Sequence, residues 1–325
     1  MEQRMLAGRE VSVVGLGAWQ LGGGWGEVDE DEALALIDAS VGAGVTFIDT
    51  ADVYGDGRSE RLIGQWLREH PGSGVMVATK MGRRVEQRVE NYSSDSMRAW
   101  NDRSRENLGV DTLDLVQLHC PPTDLYSSDA VYDDLDAMVE EGRMSAYGVS
   151  VETCEEALTA IARPHVASVQ IILNALRHKP LERVLPAAAA AGVGIIARVP
   201  LASGLLSGRY DESTTFAADD HRTFNRHGEQ FDVGETFSGV PYDVGLAAVR
   251  ALGAVVPAGV STAQFALRWI IDQPGVTTVI PGARNREQAL GNASAAGVAP
   301  LTPEQIDAVA SVYDRLVRAS VHDRW

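Results

Sequence analysis

The sequence predicts a closed (β/α)8 TIM barrel with a long loop after the seventh strand and an extra C-terminal helix, forming one domain over residues 1–325. Three observations lead there. Eight short apolar runs are each followed by a segment with helical spacing. The runs are apolar throughout, not alternating, as strands of a parallel sheet covered on both faces are. A chain of 325 residues with 45% apolar composition can bury one large α/β core. A doubly wound open sheet is the alternative arrangement of the same units.

The first run, Val11–Gly17, ends in the turn Gly15-Leu-Gly-Ala-Trp19, and a helix follows over about Asp29–Ala43, with Leu34, Ile37 and Val41 on one face. Thr46–Asp49 closes on a carboxylate. The loop after it carries Tyr54, and Ser59 reads as the cap of a helix over Glu60–Arg68. Val75–Lys80 precedes a helix over Ser96–Leu108, and Leu113–Leu118 precedes one over Ala130–Glu141. Ala146–Ser150 and Val169–Leu173 are strands followed by helices at Thr153–Ala162 and Leu181–Ala191. The seventh strand, Gly194–Val199, leads into Ser207–Pro241, rich in Asp, Gly, Ser and Thr. So long a connection in a compact domain reads as a flap over whatever binds at the carboxyl ends of the strands. Helices at Asp243–Leu252 and Ser261–Asp272 come next. Val276–Ile280 is the eighth strand, followed by helices at Arg286–Ala295 and Pro303–Ala319.

A formal charge of −17 disfavours nucleic acid and anionic membrane as partners, and it requires a local cationic pocket for any anionic ligand. Among the 28 basic residues only Lys80 and Lys179 are lysines, so a lysine at a special position suggests a need that arginine does not meet. Cys120 and Cys154 form no disulfide framework, and no metal-ligand spacing is present. The first residues have no basic-then-apolar leader pattern, so a cytoplasmic location is expected.

Barrel enzymes carry reacting groups at the C-terminal ends of the strands. Those ends hold Asp49 and Tyr54, then Lys80, His119, Ser150, Gln170 with Asn174, Arg198 and Arg284. A tyrosine with an ordinary pKa of ~10 is a weak acid, and a nearby ammonium such as Lys80 would lower it. Asp49 would hold the lysine, and His119 would orient a substrate oxygen. Such a set suits protonation of a carbonyl while a nicotinamide cofactor delivers hydride, which no side chain supplies. Singly these residues have ordinary readings as a turn cap, a packed ring, a rim charge and a structural histidine. Four complementary groups at successive strand ends argue for chemistry. Gly15-Leu-Gly17 starts like a dinucleotide fingerprint, but Gln20 stands at the third glycine position.

With these residues in view, the chain resembles the aldo-keto reductase superfamily over nearly its whole length. The segments that carry the likeness are Gly15-Leu-Gly-Ala-Trp, Phe47-Ile-Asp-Thr-Ala-Asp-Val-Tyr-Gly, Ala78-Thr-Lys, Gln117-Leu-His-Cys-Pro-Pro and Tyr147-Gly-Val-Ser. Pro200-Leu-Ala-Ser-Gly-Leu-Leu-Ser-Gly-Arg and Ile280-Pro-Gly-Ala-Arg-Asn-Arg-Glu-Gln complete the set. The resemblance implies NADPH-dependent reduction of a small aldehyde or ketone, with a catalytic set of Asp49, Tyr54, Lys80 and His119 in which Tyr54 is the general acid. It implies nicotinamide contacts at Ser150 and Gln170, and a pyrophosphate segment through Pro200, Leu201, Ser203, Leu205 and Arg209. Arg284 is placed on the 2′-phosphate of NADP(H), Gln288 and Asn292 on the adenosine half, and Gly17, Trp19, Asp49 and Gly282 along the cofactor. The chain departs from the family pattern at Val151, where many relatives have Asn. It departs again at Arg198, where many have an aromatic ring; Arg198 is expected over the nicotinamide or towards pyrophosphate or substrate. Val53, the Pro121–Ser128 loop, Phe224 and Phe231 are expected near the substrate, and Trp325 either there or packed on the barrel. Two other readings remain at this point: a barrel that binds NADP(H) with little turnover, and a lyase using Lys80 as a Schiff base.

Overall fold

In the computed structural model, which describes residues 1–23 and 28–325, ten strands are present. They are β1 (Gln3–Leu6), β2 (Arg9–Ser12), β3 (Leu16–Gly17), β4 (Phe47–Asp49), β5 (Met76–Met81), β6 (Leu115–His119), β7 (Tyr147–Ser150), β8 (Val166–Ile172), β9 (Gly194–Arg198) and β10 (Val276–Val279). From β3 to β10 each strand pairs in parallel with the next in sequence. Parallel bridges Val14–Val279 and Gly17–Gly282 join the two edges, so the sheet closes into the expected barrel. The close approach at this seam needs glycine: a Cβ on Gly17 would lie 2.7 Å from the Ile280 carbonyl oxygen.

The first expected strand, Val11–Gly17, is divided. Its leading half belongs to β2, which pairs antiparallel with β1, and only Leu16–Gly17 is a barrel strand. The reason is the two-residue turn Ala7-Gly8, where φ values of 49° and 78° match the right-handed twist of a hairpin. Leu6 and Val11 then join Phe47, Met76, Ala78, Leu115, Ile196 and Ile280 in one buried cluster. Arg4 donates to the carbonyl of Val276, the first residue of β10. The hairpin therefore covers the end of the barrel opposite the carboxyl ends of the strands.

Helices alternate with the strands, and side-chain caps start several of them. Asp29 accepts from the Glu32 N–H, Ser93 from the Ser96 N–H, and Thr153–Glu156 and Ser261–Gln264 form capping boxes. Ser59 is not a cap. The helix runs over Arg58–Glu69 from Gly57, while the Ser59 hydroxyl donates to the Ala18 carbonyl and accepts from Thr50. The last helix, Pro303–Val312, continues through a π-helical turn at Tyr313–Val317 into Arg318–Val321. The long segment after β9 is folded, with a short helix at His221–Phe224 and tight turns at Val233–Glu235 and Phe237–Gly239. No helix of the described residues is long and apolar enough to cross a membrane.

Candidate active site

Parallel register brings the polar strand ends to one side of the barrel. Asp49, His119, Ser150 and Arg198 are the last residues of β4, β6, β7 and β9; Lys80 and Gln170 lie near the ends of β5 and β8. Lys80 is 1% exposed, and its Nζ donates to Asp49 Oδ1 at 2.6 Å, to the Thr50 carbonyl at 2.8 Å and to the Tyr54 hydroxyl at 3.2 Å. The other Asp49 oxygen accepts from Gln170 Nε2 at 2.7 Å and from Gln117 Nε2 at 3.3 Å. These contacts all donate to the Asp49 side chain, which faces the ammonium. His119 packs edge-to-face on Tyr54 with ring centroids 5.9 Å apart.

Burial sets the protonation states. It works against the Lys80 charge, but Asp49 and then Tyr54 outweigh it, and the ammonium is held above its ordinary value. For Tyr54 the expected lowering does not prevail: burial raises the phenol, and the Lys80 charge offsets only part of the rise. Tyr54 is thus a fully protonated donor. Burial, with the charges of Arg83, Lys80 and Arg198, drives His119 well below its usual value, so the imidazole is neutral.

A cavity of about 450 Å³ opens on this group, within the roughly 300–1,000 Å³ of small-molecule and cofactor sites. Its head is lined by Asp49, Tyr54, His119 and Trp19, with Gly17, Ser150, Gln170 and Arg198 beside them. Pro200, Leu201 and Ser203 form the middle, where Val199, Ala202 and Ser203 take positive φ of 51°, 47° and 55° and wind the backbone along the wall. Arg209, Arg284, Gln288, Asn292 and Gly282 line the far end. Leu205 does not line the cavity; it is buried and its side chain packs towards Gly245. Two arginines at one end of a cleft, in a chain of net charge −17, fit a ligand with phosphates.

The sequence profile of the Aldo/keto reductase family matches residues 13–314. The chain belongs to the aldo/keto reductase family. It is 31% identical over 285 residues to aldo-keto reductase YhdN of Bacillus subtilis (strain 168), spanning 86% of this chain and 84% of that one. Among solved structures it resembles aldo-keto reductase AKR11C1 from Bacillus halodurans in its holo form, with a TM-score of 0.78, 25% identity and coverage of 100% and 99% of the two chains. It also resembles the glycerol dehydrogenase AKR11B4 from Gluconobacter oxydans, with a TM-score of 0.79, 29% identity and coverage of 99% and 98%.

Within this aldo/keto reductase several side chains also make contacts inside the protein. The Ser203 hydroxyl donates to the Glu235 carbonyl and accepts from the Phe237 N–H, tying down the long segment. Gln170 directs its amide nitrogen at Asp49. Arg198 lies in a charged group, with Nη2 on the Val151 carbonyl at 3.0 Å and on Glu152 Oε2 at 2.8 Å. Phe231 packs on Trp19 at 5.9 Å, whereas Phe224 is exposed and packs on Phe231. Val53 and the Pro121–Ser128 loop stay off the cavity wall, and Trp325 packs on the barrel against Arg177.

Residues that sequence reasoning missed are Gln117, Arg83, Glu152, Arg222 and Glu235. Gln117 sits two residues before His119 on an inward-facing register, which was a usable signal. Arg222 and Glu235 come from the long segment and line the cavity, with no motif to mark them. Cys120, Glu152 and Glu235 offer metal-ligand atoms within 4.8 Å of one another. Arg83 and Arg198 already pair with these carboxylates, and burial pushes the Cys120 thiol up to about 12, so the setting suits guanidinium groups.

Proposed function

We propose that the protein is an NADPH-dependent reductase of aldehydes or ketones, with Tyr54 as general acid. The observation that carries this reading is the Asp49–Lys80–Tyr54 chain, buried at Asp49 and Lys80 and opening through Tyr54 on the head of the cavity beside a neutral His119. Bound in the cavity, the nicotinamide supplies the hydride. Tyr54 donates its proton to the carbonyl oxygen as negative charge develops there. Lys80, 3.2 Å from that hydroxyl, stabilises the phenolate left behind, and Asp49 keeps Lys80 charged and aimed. His119, uncharged, has one N–H to direct at the same oxygen without competing for the proton. Arg284 and Arg209 are the groups for the phosphates, and their position supports NADPH over NADH. The glycerol dehydrogenase relative acts on a small hydroxylated molecule, which agrees with a small carbonyl substrate here.

Tyr54→Phe is expected to lower carbonyl-dependent NADPH consumption by roughly 10²–10⁴-fold in kcat while NADPH affinity stays within about threefold. Undiminished turnover by that variant would sink the assignment. Tight NADPH binding with no turnover of any aldehyde or ketone would instead favour a binding protein.

A further inference from the structure

Four side chains from four separate segments form a closed ring of alternating charge beside His119. Arg83, just beyond β5, places Nη1 2.9 Å from Glu235 Oε1, in the long segment. Glu235 Oε1 lies 3.7 Å from Arg198 Nη1, at the end of β9. Arg198 Nη2 lies 2.8 Å from Glu152 Oε2, just beyond β7, and Glu152 Oε1 returns to Arg83 Nη2 at 3.9 Å. The side chains of Arg198 and Glu235 are each 9% exposed, and both residues line the cavity that holds Tyr54 and His119. The Arg83 guanidinium sits over Phe231, whose ring packs on Trp19, so the ring borders the substrate end.

We infer that this ring makes the site selective for carbonyl compounds that carry no carboxylate. The inference rests on the reductase reading above. A carboxylated substrate needs a cation with an open face, and here both guanidinium groups already meet carboxylates inside a partly desolvated wall. An incoming anion would lie beside Glu235 on the cavity wall, with Glu152 and Arg83 behind it and no net positive charge in the ring to receive it. Neutral carbonyls meet no such penalty. Glu235 completes the ring from the long segment, so charge balance at the substrate end depends on that segment being in place.

The four charges are all present above the range in which Glu152 titrates. Burial raises Glu152 to about 7, against Arg198, with Glu235 raising it, Arg83 lowering it and Asp232 raising it further. The Cys120 thiol, Arg177, whose Nη2 reaches the Glu152 carbonyl, and the Glu156 carboxylate, which accepts from the Glu152 N–H, are further polar neighbours. Glu152 thus gains a proton at a higher pH than an ordinary carboxylate, and as it does so the ring passes from neutral to a net positive charge.

The test compares kcat/KM at pH 8 for butanal and for succinic semialdehyde, which has the same chain length and a terminal carboxylate. The unaltered chain is expected to favour butanal at least tenfold. Glu235→Gln and Glu152→Gln, each leaving a guanidinium unbalanced, are expected to narrow that ratio at least tenfold. A ratio read on one preparation does not depend on how much of a variant is folded. In the unaltered chain the ratio is also expected to narrow between pH 8 and pH 6. Equal use of the two compounds by the unaltered chain, or a ratio that moves in neither variant nor with pH, overturns the inference alone. A protein that reduces neither compound nor any other carbonyl overturns the reductase reading and this inference with it.

Discussion

Asp52 is fully buried two residues before Tyr54, and neither of its carboxylate oxygens has a hydrogen-bond partner among the described residues. Burial, then the charge of Glu60, raises it from 3.8 to about 7, against weaker lowering by Arg84 and Arg103. The folded state therefore binds this proton more tightly than the unfolded chain does. Its stabilising contribution is complete at acid pH and is lost as pH rises from about 4 to about 7. Asp52→Asn removes that dependence. Between pH 5 and pH 7 the variant is expected to gain roughly 2 kcal/mol on the unaltered chain, read from denaturant midpoints at the two pH values. A gap that does not change with pH would show that Asp52 is ionised when folded. At this scale the sequence showed which residues stand at strand ends but not their charge state. Tyr54 was expected below its ordinary pKa and lies above it, because burial depends on the rings of Trp19 and His119 around it, brought in from other parts of the chain.

Elements show the same division. The long segment expected at Ser207–Pro241 is there and lines the cavity, but what pins it lies far away in sequence. Trp325 Nε1 donates to Asp232 Oδ1 at 2.9 Å, and the Arg177 guanidinium sits 3.7 Å from the indole centroid. The same ring packs so closely on Gly239 that a Cβ there would come within 2.3 Å of it. Trp325→Ala removes the donor, the stacking surface and a well-buried ring, a loss of up to ~3 kcal/mol that falls on the segment alone. Backbone amides of 232–239 are then expected to exchange at least tenfold faster, with those of β5 to β9 unchanged, and NADPH is expected to dissociate faster. Equal loss of protection in the barrel strands would show that Trp325 supports the whole fold. The hairpin of β1 and β2 was missed because its two short strands do not alternate cleanly and its turn, Ala-Gly, is a weak signal beside Asn-Gly or Asp-Gly.

The whole molecule separates stability from chemistry along the barrel axis. The hairpin end carries Leu6, 1% exposed and packed against Gly194 at the start of β9, while every group placed in the reaction stands at the opposite end. Leu6→Ala is accordingly expected to cost about 2–5 kcal/mol in denaturant unfolding with kcat little altered. A fall in kcat as large as that of Tyr54→Phe would mean that the two ends are coupled. From the sequence alone follow the barrel, the order of its units and the four groups at the ends of the second, third and fourth strands. Each of those is a local event, an apolar run stopping at a polar residue, and parallel closure of eight units leaves little choice about which ends meet. Only the tertiary structure decided that Gln117 and Gln170 share Asp49, that Arg198 turns into a ring with Arg83, Glu152 and Glu235, and that Trp325 pins the long segment. Those partners come from segments up to 152 residues apart, as between Arg83 and Glu235, and distance in space between such segments leaves no periodicity or motif in the chain.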